Sequence, residues 1–150
     1  MRAATCMAGR SVGEDELERR RRRSLAPVRV AAGVAVSLGC LGLLVASSTP
    51  NLIFADDPLI DFVARKVGHV VSFGAVAFGA GMAAGTRWPR TRTAWIVGLG
   101  ATALALLDEG IQSRIPGRLS SPFDVMVDVI GAMAGILAWL RFEQWSADRR

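Results

Sequence analysis

The sequence predicts an all-α integral membrane protein, a four-helix bundle with both termini cytoplasmic. Three observations carry that prediction. Of the 150 residues, 51% are hydrophobic. These arrive in long blocks, not in the scattered pattern of a soluble core. The blocks run over roughly 27–48, 67–85, 93–107 and 125–140, against the ~20 residues a helix needs to cross hydrocarbon. The cations cluster beside those blocks instead of spreading along one face, so the net charge of +5 reads as a topology signal and no nucleic-acid partner is expected. Fourteen of the 17 arginines lie before residue 30, in 87–92 or after Leu140, whereas Arg65, Lys66, Arg114 and Arg118 occupy the alternate connections. By the positive-inside rule, 49–66 and 108–124 face outward.

Residues 1–26 form a basic cytoplasmic tail. Ser11 and Glu14 have capping-box spacing, and Asp15–Arg19, Glu16–Arg20 and Glu18–Arg22 are acid-to-base pairs at i,i+4. A short surface helix is therefore one reading; a flexible, solvated arm is the favoured one. The first span covers about 27–48. Cys40 follows Gly39 within it, but Ser37 and Leu38 fit a lipoprotein signal poorly and the apolar run continues through Val45, so neither a lipid anchor nor a cleaved leader is expected. Cys6 and Cys40 sit at different depths and do not pair.

The second helix is expected over about 58–86, opened by Asp57 as cap and Pro58 as first helical residue. Phe62, Lys66, His69 and Phe73 share one stripe of it. Lys66 is the only lysine beside 17 arginines, which suggests a compact, titratable cation. The third helix is expected over about 93–112. Its 15 apolar residues cannot span, so it must continue through Asp108 and Glu109 to Gln112. The fourth is expected over about 122–141, leaving 143–150 as a short cytoplasmic tail and making 27–142 the membrane domain. Small-xxx-small pairs, Gly81/Gly85 and Gly131/Gly135, allow close helix approach, and the latter pair is a candidate surface for self-association.

Counting inward from the cytoplasmic arginines and tryptophans at about 1.5 Å per residue puts His69, Asp108, Glu109, Asp124 and Asp128 at one level, roughly 20–25 Å across a core about 30 Å thick. Ionisable groups so deep are costly unless paired or facing water, so they are expected to line one outward-opening cavity inside the bundle. Asp108 and Glu109 diverge by about 100° on a helix, and spacing to Gln112 does not choose between them. Arg118 can hold a phosphate or carboxylate with two parallel hydrogen bonds, with Arg114 assisting, or else clamp Asp124. One histidine, no outward cysteine and no HExxH give no expectation of a metal centre. No cofactor fingerprint or nucleophile elbow is present.

The segments "KVGHVVSF" and "DEGIQSRIPGRLSSPFDVMVDVIGAMAG" resemble the VanZ-like membrane proteins: a Lys-x-x-His pair, an Asp-Glu-x-x-Gln, a Pro-Gly-Arg turn, and an Asp followed by a second polar residue and Gly-x-x-x-Gly. The matching positions are Lys66, His69, Phe73, Asp108, Glu109, Gln112, Pro116, Gly117, Arg118, Ser120, Asp124, Asp128, Gly131 and Gly135, across about 59–140. Arg114 and Ile115 stand where members commonly carry a bulky apolar residue, and the basic tail has no family counterpart. The resemblance implies a multi-pass protein of the bacterial inner membrane acting in the cell envelope, with a link to glycopeptide antibiotic resistance.

The residues and the resemblance together lead to an expected partner: a membrane lipid or lipid-linked envelope precursor with an anionic head group. Arg118 and Lys66 would hold the head group, and His69, Glu109, Gln112 and the aspartates Asp108, Asp124 and Asp128 would position it. Two alternatives stay open. One is an enzyme performing acid/base transfer or hydrolysis at the same site, and the other is a structural or proton-coupled membrane subunit.

Overall fold

The computed structural model describes residues 12–49, 55–84, 87–116 and 121–149, with the backbone alone for 12–26. Among them are four α-helices and no strand: α1 (Val12–Ser48), α2 (Pro58–Ala84), α3 (Arg90–Gln112) and α4 (Pro122–Asp148). Each is long and apolar enough to cross a membrane. Large apolar side chains point away from the bundle on every helix, among them Leu38, Val71, Leu99 and Ile130, each about 60% exposed or more. Such a surface suits lipid and not water.

The helix starts follow local chemistry. Asp57 Oδ1 accepts from the backbone N–H groups of Leu59 at 2.8 Å and Ile60 at 3.1 Å, and Pro58 occupies the first helical position without sacrificing a donor. Ser121 caps α4 through Phe123 N–H at 3.2 Å, ahead of Pro122.

Three boundaries differ from expectation. α1 begins at Val12 and runs unbroken through Pro27, so 12–26 is helix and not an unstructured arm. The acid-to-base spacing there supports helix propagation. α3 starts at Arg90 and α4 continues to Asp148, because the N-terminal end of α3 and the C-terminal end of α4 fasten to each other and to α2. Arg90 Nε donates to Glu143 at 3.0 Å, and Phe142 packs on Phe78 and Trp145.

Helix α2 contacts all three of the others, while α1 touches α2 and α3 but not α4. The central cluster of buried apolar residues is small: Phe73, Ala77, Val97, Ala101, Ala105 and Ala132. Backbone proximity holds α2 to α4. A Cβ on Gly131 would lie 2.5 Å from the Val70 carbonyl oxygen, and one on Gly135 would overlap the Gly74 carbonyl. The pair read as a surface for self-association is therefore seated against α2 inside the chain, where close approach replaces hydrophobic drive. Gly81 does the same for Trp139, whose ring is fully buried over it. Trp139 is thus a core residue and not a membrane-interface marker. Gly85 lies outside the described residues.

Candidate functional site

The up-and-down order brings the C-terminal ends of α1 and α3 to the N-terminal ends of α2 and α4, and the polar residues converge there. Lys66 on α2 forms an ion pair with Asp124 on α4, both side chains mostly buried. One turn deeper, His69 Nδ1 lies 2.9 Å from Asp128 Oδ1. Asp128 is only 2% exposed. Regular i,i+3 and i,i+4 spacing gives this ladder its rungs: Lys66 and His69 follow one face of α2, Asp124 and Asp128 one face of α4.

Helix α3 contributes Asp108, 1% exposed. Its Oδ2 accepts from Gln112 Nε2 at 2.8 Å, one turn on. One donor atom each from His69, Asp108 and Asp128 lie within 4.8 Å of one another. Asp108 is thereby the acid that enters the cluster, and neighbouring Glu109 is half-buried beside it. The choice follows from the rotation of α3. Thr93, Val97, Ala101, Ala105, Asp108 and Gln112 are its buried residues, a stripe whose small members let α3 close on the bundle. That buried stripe includes Asp108 and not Glu109.

Further contacts fix the cluster's surroundings. His69 stacks on buried Phe73 with centroids 6.4 Å apart, and Lys66 lies 5.2 Å from the Phe62 ring centroid. Gln112 Nε2 also reaches Ser47 Oγ at 3.5 Å, at the limit of a hydrogen bond. Ser47 is a site-lining residue the sequence reading passed over. Its signal was a hydroxyl in the last turn of an apolar span, though Ser48 beside it is exposed and only the helix rotation tells them apart. Arg114 turns back to cap its own helix, donating to the Gly110 carbonyl at 2.7 Å. Gly117, Arg118 and Ser120 lie outside the described residues.

A cavity of about 940 Å³ opens between α1 and α2. Small and apolar residues form most of its wall, including Gly39, Leu43, Ala75, Val76 and Gly79. At its other end stand Lys66, His69, Gln112 and Asp124. The space is amphipathic along its length: an apolar trough ending in charge.

The sequence model of the VanZ/LLP1 family matches residues 16–143. The match takes in α1 and most of the basic stretch before Pro27, so the family counterpart begins well upstream of the 59–140 region that carries the motifs. No curated protein and no solved structure matches the chain. With four membrane-spanning helices and a family match over most of its length, this chain belongs to the VanZ/LLP1 family.

Proposed function

We propose that the trough between α1 and α2 receives an amphiphilic envelope molecule, a membrane lipid or lipid-linked precursor, with its anionic head group at the Lys66 end. One observation carries the reading: a single cavity whose apolar wall and charged end are contiguous matches an acyl or prenyl chain joined to a phosphate or carboxylate. An ammonium has three donors, and the pairing with Asp124 leaves Lys66 donors for a head group in the cavity it lines. Arg118, four residues before the α4 N-terminus, adds a planar fork suited to the same chemistry. The charge pattern supports an outward-facing site in a bacterial cytoplasmic membrane. A role in glycopeptide tolerance would follow from occupancy by a wall precursor.

The test is mass spectrometry of lipids retained by the purified protein after incubation with envelope extract. A specific anionic amphiphile, lost when Gly42 and Gly68, which line the cavity and have open space at their Cβ positions, are enlarged to leucine, is the expected result. Lipids in bulk membrane proportion would refute the reading.

A second reading rests on the His69–Asp128 pair. A carboxylate at Nδ1 orients the imidazole and leaves Nε2 as a base, which supports acid/base transfer or hydrolysis on the bound head group. Conversion of the retained lipid, abolished by His69→Gln, distinguishes it from binding alone.

A further inference from the structure

The cluster below the Lys66–Asp124 pair holds acids from two helices and an imidazole from a third. Asp108 and Asp128 are almost wholly buried, and Lys66, one turn from His69 on α2, already faces Asp124. Two carboxylates beside one imidazole call for added positive charge in a low-dielectric setting. Asp108 states the need most directly: Gln112 satisfies its Oδ2, while its buried Oδ1 has no hydrogen-bond partner. A buried carboxylate oxygen without a partner is costly, and hydrogen bonds within the described residues leave it so.

We propose that His69, Asp108 and Asp128 bind one divalent transition-metal cation, with Zn2+ or Mn2+ as the fitting class. The three donor atoms lie within 4.8 Å of one another. In a tetrahedral shell, bonds of about 2.0–2.2 Å hold ligand atoms about 3.3–3.6 Å apart, so the three close on a cation by rotations that move each donor atom under about 1 Å. Imidazole nitrogen with carboxylate oxygens suits Zn2+ and Mn2+; Ca2+ and Mg2+ take all-oxygen shells. Gln112 completes the arrangement by orienting Asp108 from behind through Oδ2, the outer hydrogen bond that ligating carboxylates ordinarily have. His69 also lines the α1–α2 cavity, which gives a cation a route in and leaves the remaining coordination to water or a ligand. The cation site stands without the lipid reading.

The full chain is purified in detergent through a tag free of histidine, stripped with EDTA, and titrated with Zn2+ and separately Mn2+. Bound metal is counted by plasma mass spectrometry after desalting, with no lipid added. The expected result is about one equivalent per chain with a rise in thermal midpoint, unaffected by excess Ca2+. Asp108→Asn, Asp128→Asn and His69→Gln should each abolish it, and Gln112→Ala should weaken it by about 10–100-fold. Because a ligand variant can fail to fold, Gln112→Ala carries the comparison in that case: it removes no ligand and leaves the metal count readable. Less than a tenth of an equivalent in the unaltered chain, or helical, monodisperse variants that retain metal as the unaltered chain does, would overturn the proposal.

Discussion

His69 Nδ1 and Asp128 Oδ1 meet at 2.9 Å across 59 residues of sequence, joining α2 to α4. Asp128→Asn keeps an acceptor in place and, with both proteins stripped by EDTA, should leave the thermal midpoint in detergent close to that of the unaltered chain. Asp128→Leu leaves an imidazole N–H without its partner and should cost about 1–3 kcal/mol. Equal midpoints for the two variants would show that the contact does not hold the helices.

The Lys66–Asp124 pair one turn away calls for a double-mutant cycle. Lys66→Met and Asp124→Leu each strand a mostly buried charge, and each should lower stability by more than the double variant does. The coupling should fall within about 0.5–3 kcal/mol, read from reversible unfolding in mixed micelles. Additive losses would mean the two charges are solvated separately.

Close approach of α2 and α4 gives a steric prediction. Gly135→Val puts a branched side chain where even a Cβ overlaps the Gly74 carbonyl, and the helices must separate, at a cost of about 1–3 kcal/mol or more. Gly100→Val, a control with open space around its Cβ position, should be nearly neutral. The readout is the fraction of monodisperse protein against temperature; parity between the variants would contradict the packing.

Topology follows from arginine placement. Reporter fusions after Asp57 and Ser121 should register outside, and fusions after Arg90 and Arg150 inside. A fusion at Arg90 that registers outside would put the polar end of the bundle in the cytoplasm.

Arg118→Lys separates head-group recognition from scaffolding. The charge persists but the bidentate fork is lost, so lipid retention should drop while yield stays near normal. If Arg118 only clamps Asp124, lysine retains the lipid and Arg118→Ala reduces folded protein instead.

Much of this architecture was readable before any coordinates. Asp57–Pro58 and Ser121–Pro122 announce helix starts because capping is decided within four residues. That His69, Asp108 and Asp128 share one level of the bundle, with donor atoms within 4.8 Å of one another, could be counted along the helices at about 1.5 Å per residue. What stayed hidden depends on rotation and partner choice. Asp108 and Glu109 differ only in which way α3 turns, and that is settled by Ala101 and Ala105 against the bundle. The spacing of Gly131 and Gly135 signals a close contact without saying whose backbone fills it, and Gly74 and Val70 supply the answer. The acid-to-base spacing before Pro27 signals a local helix, but the continuity of α1 from Val12 through Pro27 is a property of the whole segment. Arg118 remains outside the described residues.

The absence of any contact between α1 and α4 divides labour within the bundle. Helices α2, α3 and α4 carry the acids and bases of the cluster, whose ion pairs close without α1, and the long Gln112–Ser47 contact reaches from it to α1. Helix α1 supplies one wall of the amphipathic cavity. A sideways swing of α1 alone would therefore unroof the trough to the surrounding bilayer and leave every ion pair of the cluster intact, so a guest could be exchanged laterally, like a book drawn from a shelf, without dismantling the chemistry behind it.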